Sequence, residues 1–159
     1  MALDSVDSSR VLLFGYALGA KVGLLTAALD DRVRAVVAVC GFSPFRQESP
    51  ASGTEGLRHY SHLHGLIPRL GFFLGHEDRV PFDYDEVIGM IAPRPVLVVA
   101  PELDRYAPIA NVRRSVEAAA SVYALYGHRD ALTLDVPFDF NRLTRDTEER
   151  AFDWLVRTR

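Results

Sequence analysis

A predicted tight turn between a strand and a helix near the start of the chain has the residue spacing of a catalytic turn but lacks the side chain that would react. Residues 10–21 read Arg-Val-Leu-Leu-Phe-Gly-Tyr-Ala-Leu-Gly-Ala-Lys. An apolar run ends at Gly15, and a helix-forming segment begins around Gly19. This Gly-x-x-x-Gly spacing is typical of a nucleophile elbow, in which glycines relieve crowding and the central residue stands above a sheet. In the catalytic version the central residue is Ser, whereas here it is Ala17.

Acidic and imidazole side chains that could perform acid–base chemistry follow later in the chain. Asp104 comes just after an apolar run, and open α/β sheets place their sites at the carboxyl ends of such strands. His76 and Glu77 lie in an irregular segment that would cover this edge, so either could act as base or acid. Asp104 paired with Glu77 or Asp78 would supply the two carboxylates of glycoside cleavage, although separate surface acids are the simpler interpretation.

The remaining histidines give a weaker signal, and we expect no metal or other cofactor. His59, His62 and His64 have a spacing that resembles metal ligands, but no cysteine supports them. Short histidine clusters of this kind are more often surface or packing residues. Cys40 is the single cysteine, so the chain has no intrachain disulfide, and its place at the end of an apolar run suits a buried structural thiol.

Four further side chains are candidates for substrate binding. Tyr16 lies inside the elbow, and its hydroxyl could bind substrate or donate to an oxyanion. Arg46 follows the second apolar run and could hold a carboxylate. Phe42 and Tyr106 could line an apolar pocket, although core packing is an alternative role for such aromatic residues.

These residues would be positioned by an alternation of strands and helices. Short continuous apolar runs predict strands that are buried on both faces and therefore parallel. The predicted strands cover 11–14, 33–40, 96–100 and 131–136, and the predicted helices cover 18–29, 109–126 and 144–156, with shorter ones near 55–63 and 83–90. We expect one domain, 1–159, in which 11–41 is strand-elbow-helix-strand, 42–92 is a lid-like excursion and 93–159 is strand-helix-strand-helix.

Charge and composition exclude several classes of partner. The 159 residues carry a formal net charge of −3, which does not favour nucleic acid or an anionic membrane surface. The N-terminal residues lack the apolar region of a signal peptide, and no apolar run is long enough to span a membrane. We therefore predict a cytoplasmic protein with a small-molecule substrate, no nucleic-acid partner and no membrane partner.

Three segments together resemble the second half of the α/β-hydrolase superfamily, in particular its dienelactone-hydrolase-like and acetyl-xylan-esterase-like members. They are the elbow Gly-Tyr-Ala-Leu-Gly-Ala at 15–20, the segment Ile-Ala-Pro-Arg-Pro-Val-Leu-Val-Val-Ala at 91–100, and Leu-Asp-Arg-Tyr-Ala-Pro at 103–108. The resemblance implies a truncated α/β-hydrolase-like three-layer sandwich. It would have about four mainly parallel strands, flanking helices and a long lid-like excursion.

The resemblance also implies roles for individual positions. Ala17 stands where the family places its nucleophilic Ser, and Asp104 stands where the family places the acid that orients a catalytic His. The backbone N–H of Leu18 would form half of an oxyanion hole. The catalytic His should lie around 139–143, a segment with no His, and Asn141 is the expected occupant of its place. An Asn amide takes up no proton near neutral pH and cannot act as a general base.

The sequence therefore leaves three functions open. The first is a small hydrolase that cleaves an ester or related bond without a Ser nucleophile, using an activated water. The second is a catalytically degenerate binding module, and the third is a glycoside hydrolase with paired carboxylates. Because the family has further strands before the elbow, residues 11–14 would form an exposed apolar edge, and we predict a homodimer or larger homo-oligomer that covers it.

Overall fold

Four parallel strands form one sheet in the computed structural model, which describes residue 7, residues 9–47, residue 57 and residues 67–158. The strands are β1 (Val11–Tyr16), β2 (Val33–Val39), β3 (Val96–Val99) and β4 (Leu132–Asp135), in that spatial order. The helices are α1 (Leu18–Leu29), α2 (Tyr84–Ile91), α3 (Ile109–Leu125) and α4 (Arg145–Arg157). The predicted fold class is confirmed; most of the helix expected near 55–63 lies outside the described residues.

Helices pack on both faces of the sheet because the strands are apolar on both faces. In β2 the alternate residues Val36 and Ala38 join a core that includes side chains of α1, α2 and α3. Their neighbours Val37 and Val39 point the other way and join a second core with Ala151 of α4. The period-2 alternation of a strand thus fills two cores, which accounts for the continuous apolar run.

A buried carboxylate joins two parts of the segment between β2 and β3. Asp83 caps α2 and exchanges side-chain-to-backbone hydrogen bonds with Glu86 in a capping box. Its two oxygens also accept from the backbone N–H groups of Phe45 and Arg46, each at 2.9 Å. Burial raises the pKa of Asp83, and these backbone hydrogen bonds oppose the rise. Asp83 therefore connects two distant parts of the excursion.

The Pro-Arg-Pro segment before β3 has a structural role at the amino ends of the strands. The Arg94 guanidinium donates to the carbonyl oxygens of Asp30 and Val33, at 3.0 and 2.8 Å. The hydroxyl of Tyr123 in α3 donates to the Arg94 carbonyl at 2.8 Å. These bonds hold the start of β3 against the loop between α1 and β2.

β1 lies at one edge of the sheet, with β2 on one side and no strand among the described residues on the other. Val11 in this strand is 36% exposed. The edge has the position expected from the sequence, and its pairing with a second copy stays a prediction. Among the described residues, no helix has the length and apolarity needed to cross a membrane.

Candidate functional site

The turn between β1 and α1 has the geometry of an elbow. Ala17 has φ 50° and ψ −113°, a backbone conformation rare for a residue with a side chain, and its N–H donates to the Val39 carbonyl at 2.9 Å. α1 begins at Leu18, directly after the turn. The elbow therefore holds Ala17 at the carboxyl edge of the sheet, and its side chain is the methyl group at the position where the sequence analysis expects a nucleophile in the family.

Three side chains form a hydrogen-bonded line beside this turn. The Tyr16 hydroxyl donates to Oδ1 of Asn141 at 2.8 Å. Nδ2 of Asn141 donates to Oδ2 of Asp104, also at 2.8 Å. The structure thus brings together three of the residues selected from the sequence, which come from the ends of β1, β3 and β4.

Asp104 is held firmly in this line. Its side chain is among the buried polar groups, with 5% of the residue exposed, and Oδ1 accepts from the backbone N–H of Tyr106 at 2.8 Å. Both carboxylate oxygens are therefore engaged, one by the Tyr106 backbone and one by Asn141. A buried carboxylate needs such partners, because leaving it unpaired carries a desolvation cost.

Backbone hydrogen bonds join the loop after β4 to the loop after β3, which explains how Asn141 reaches Asp104. The backbone N–H of Glu102 donates to the Pro137 carbonyl at 2.9 Å, and that of Leu103 donates to the Asp139 carbonyl at 3.0 Å. A side-chain hydrogen bond from Arg142, with a second from the Phe140 backbone, lowers the pKa of Asp139. The sequence analysis did not predict that Arg142 pairs with Asp139 and so holds this loop, although the i,i+3 spacing of the two residues indicates such an ion pair.

Cys40 is a neighbour of the line that sequence reasoning treated only as a core residue. It has φ 50°, and its N–H donates to the Val99 carbonyl at 2.9 Å. Burial, and then the charge of Asp104, raise the pKa of its thiol to about 12. Burial, followed by Cys40 and Asp104, also raises the pKa of Tyr16. Both side chains therefore stay protonated at neutral pH.

The lid candidates lie in a different environment. His76 is exposed, and Glu77 accepts a hydrogen bond from the Gly75 backbone at 2.8 Å. Among the described residues, no hydrogen bond joins His76 or Glu77 to Asp104. Arg46 donates to the Val80 carbonyl at 2.9 Å and pairs with Glu86 at 3.1 Å, so its guanidinium is engaged in holding the excursion.

The remaining candidates divide between core and surface. Phe42 is buried and stacks on Tyr84 with ring centroids 4.5 Å apart. Leu18 and Tyr106 are exposed near the carboxyl edge of the sheet. The three histidines at 59, 62 and 64 lie outside the described residues. In the part of the chain that is described, no group of three or more His, Cys, Asp or Glu side chains could hold a metal.

A family model decides between the possible α/β-hydrolase groups. The model of fungal glucuronyl esterases matches residues 2–127, which include the elbow and Asp104. The chain belongs to the glucuronyl esterase family. The resemblance to esterases of the α/β-hydrolase superfamily is thereby confirmed. The matched segment ends before Asn141, so that residue lies outside the family match.

Two curated relatives resemble parts of this glucuronyl esterase family member. Thiohydrolase apmlB from Arthrinium phaeospermum is 36% identical over 92 residues, which are 54% of this chain and 30% of the relative. Carbohydrate esterase MZ0003 from an unknown prokaryotic organism is 26% identical over 124 residues, 77% of this chain and 29% of the relative. The matched segments span about 30% of the length of these curated relatives.

Solved structures of the same family share the fold at low sequence identity. A promiscuous CE15 esterase from a marine bacterial metagenome matches with a TM-score of 0.82 at 18% identity, covering 97% of this chain and 43% of that one. A serine-to-alanine mutant of the glucuronoyl esterase from Sporotrichum thermophile was solved in complex with methyl 4-O-methyl-β-D-glucopyranuronate. It matches with a TM-score of 0.71 at 16% identity, covering 96% and 44% of the two chains.

Proposed function

We propose that this member of the glucuronyl esterase family binds a uronate ester of a carbohydrate and forms no acyl-enzyme. The observation that carries the proposal is the line Tyr16–Asn141–Asp104 beside Ala17. Covalent ester cleavage in this geometry needs a nucleophilic side chain and a base that takes its proton. Ala17 has no nucleophilic atom, and Asn141 accepts no proton at neutral pH.

Asn141 provides hydrogen-bond partners for Tyr16 and Asp104, so these side chains are paired without a nucleophilic side chain or a base in the site. Its amide N–H donates to Asp104, as an imidazole N–H would, and its amide oxygen accepts from Tyr16. Neither bond requires a change of protonation during a reaction. The line therefore supports a fixed surface that recognises a ligand, rather than a proton relay.

The proposed ligand class comes from the family and from one structural relative. A family member with a serine-to-alanine change was solved with a uronate methyl ester, so this fold with such a change accommodates that ligand. In this chain Leu18 begins α1, and the N–H groups of a helix's first turn have no acceptor within the helix. The Leu18 N–H is thus a suitable donor to the ester carbonyl oxygen of the bound ligand.

Hydrolysis by an activated water is the second candidate, and the geometry favours it less. A base needs a lone pair that faces the attacking water. Asp104 is 5% exposed and each of its oxygens already accepts one hydrogen bond, so burial restricts the access of a water to the remaining lone pairs. The glycosidase alternative requires a second carboxylate near Asp104, and no interaction among the described residues joins Glu77 to Asp104; Oε1 of Glu77 accepts from the Gly75 N–H instead.

The test compares the parent protein with variants that reintroduce the two absent groups. We expect the parent to bind methyl 4-O-methyl-β-D-glucopyranuronate in calorimetry and to release no methanol from it. Ala17→Ser and Asn141→His alone should stay inactive, whereas the double variant should hydrolyse the ester, because acyl transfer needs both groups. Adding Asp104→Asn to the double variant is the matched control and should abolish the gain.

Each result has a defined meaning. Absence of ester binding by the parent would refute the proposal. Hydrolysis by the parent that falls in Asp104→Asn or His76→Ala would replace it with a Ser-independent hydrolase. Cleavage of a chromogenic glycoside by the parent would favour paired carboxylates instead.

A further inference from the structure

A cavity lined by cationic side chains opens at the amino ends of the strands, at the opposite end of the sheet from Ala17. Its volume is about 730 Å³, which is within the range of small-molecule sites. Arg10, Arg34 and Arg94 line it, and no Asp or Glu does so among the described residues. The chain as a whole has a net charge of −3, so this local excess of positive charge does not follow from composition. We call these three residues the arginine cluster.

An irregularity in the sheet places Arg34 on this cavity. In the pairing of β1 with β2, Val11 lies opposite Val33. The next pair is Leu12 with Ala35, so Arg34 is an extra residue with no partner in β1. An extra residue of this kind redirects a side chain and is rare between parallel strands. Val33 joins one core and Ala35 joins the other, and the Arg34 side chain between them is exposed.

Two members of the arginine cluster have N–H groups available to a ligand. Nε of Arg34 donates to the Ser9 carbonyl at 3.3 Å, and its two terminal nitrogens make no hydrogen bond to a described residue. The Arg10 guanidinium makes neither a hydrogen bond nor an ion pair within the described part of the chain. A guanidinium carries five N–H donors in a planar fork that matches two oxygens of a carboxylate or a phosphate. These donors therefore suit an oxyanion.

The acids at this end of the sheet offset the charge of the cluster only in part. Arg94, whose side chain is 15% exposed, is held by backbone carbonyl oxygens and adds a fixed positive charge. Its carboxylate partner Asp31 lies 3.6 Å away and is fully exposed, so solvent screens that pair strongly. Asp7 accepts from the N–H and the hydroxyl of Ser9, at 3.0 and 2.6 Å. Those hydrogen bonds, and to a smaller extent the charge of Arg10, lower the pKa of Asp7.

Apolar side chains make up another part of the cavity lining. Leu12 and Pro95 are partly buried, and Ala35 is 1% exposed. A ligand body that covers these side chains removes apolar surface from water, which stabilises a complex by about 25 cal/mol per Å². A bare inorganic ion would make no use of this surface. The cavity therefore suits an anion that carries an apolar group.

We propose that this cavity binds an organic anion, in which a carboxylate or phosphate group is carried on an apolar body. The oxyanion accepts from the Arg10 and Arg34 guanidinium groups, and the body covers Leu12 and Pro95. β1 has six residues at about 3.3 Å each, so its two ends lie about 16 Å apart. The anion site and the site beside Ala17 can therefore be occupied together, and this proposal does not rest on the proposed function.

The experiment titrates four small probes into the parent and into Arg10→Gln/Arg34→Gln by calorimetry. Phenyl phosphate and benzoate carry the two kinds of oxyanion, inorganic phosphate lacks the apolar body, and benzyl alcohol lacks the charge. We expect at least one organic anion to bind the parent more tightly than inorganic phosphate and benzyl alcohol do. The double variant should bind it about tenfold more weakly, which corresponds to about 1.4 kcal/mol. The matched control, Arg79→Gln/Arg145→Gln, removes the same two charges from exposed residues outside the cavity lining and should leave the affinity unchanged.

A second measurement locates the ligand without a variant. When the organic anion is titrated into the parent, the NMR amide signals of Leu12 and Ala35 should shift, and those of Ala17 and Asn141 should not. The proposal is overturned if neither organic anion binds the parent, or if inorganic phosphate or benzyl alcohol binds as tightly. It is also overturned if the cavity variant binds as well as the parent, if the control variant loses as much affinity, or if the shifts concentrate at Ala17 and Asn141. Absence of ester binding would refute the proposed function and leave the anion site standing.

Discussion

Gly15→Ala should destabilise the protein strongly, because the elbow leaves no room for a single methyl group. A Cβ atom on Gly15 would lie 2.4 Å from the carbonyl carbon and oxygen of Gly19 and 2.5 Å from the nitrogen of Ala20. All three are backbone atoms of the first turn of α1, so no side-chain rotation can relieve the contact. The substitution must push β1 and α1 apart.

The size of the effect follows from the overlap. Non-bonded carbon atoms sit at about 3.5–4.0 Å, so the helix must retreat by about 1 Å. Overpacking of a rigid interior typically costs about 1–3 kcal/mol, and contact with backbone places this site near the upper value. A loss of about 3 kcal/mol would lower Tm by about 6–12 °C for a chain of this size.

Gly19→Ala is the matched control four residues away. A Cβ at Gly19 would have no neighbouring atom within 4 Å, and the residue lies in the first turn of α1. Alanine there should be neutral or stabilise by up to about 1 kcal/mol, because glycine is the poorer helix former. Urea unfolding followed by far-UV circular dichroism measures both free energies. Equal stability of the two variants would refute the close approach of β1 and α1.

Three further perturbations test other parts of the structure. Asp83→Ala removes the acceptor of four backbone N–H groups, those of Phe45, Arg46, Tyr84 and Glu86, and should lower the free energy of unfolding by about 2–4 kcal/mol in urea titrations, with Asp83→Asn between variant and parent. Because burial raises the pKa of Cys40 to about 12, its thiol stays protonated at pH 8, and Ellman's reagent should react only after unfolding. The folded thiol keeps its proton to a higher pH than the unfolded one, so its contribution to the free energy of unfolding is fully present below about pH 9 and is lost as the pH rises to about 12. We expect light scattering to show a homodimer that Val11→Lys at the β1 edge dissociates and Leu125→Lys, on a different surface, does not; a monomeric parent would contradict this.

The positions of most elements could be predicted from the sequence because parallel strands buried on two faces leave an unmistakable run of apolar residues. The boundary at the elbow was less accurate. The sequence placed the end of the first strand before Gly15, whereas β1 continues to Tyr16. Gly15 is present because α1 packs against it, and not because the strand stops there.

The site was accessible from the sequence only in part. Asp104 was found through its place after a strand and Asn141 through the family resemblance, but the second partner of Asn141 is Tyr16, which lies 125 positions away in the chain. Such a contact depends on how the loops after β3 and β4 join, which local patterns do not encode. Arg46 shows the same limit, since its contacts with Val80 and Glu86 depend on how the excursion folds, and its role in substrate binding stays a prediction.

The burial of Asp104 explains why Asn, rather than an apolar residue, suits position 141, where the family resemblance predicts a catalytic His. Asp104 is buried, and a carboxylate that loses its partner inside a protein costs several kcal/mol. An apolar residue at 141 would remove the hydrogen bond to Oδ2 and leave that charge exposed to an apolar surface. Asn keeps the donor without the basicity of an imidazole, and its oxygen also satisfies the Tyr16 hydroxyl. Asn141 can therefore keep the loops after β3 and β4 joined without a base at this position, which is the arrangement that the proposed ligand binding needs.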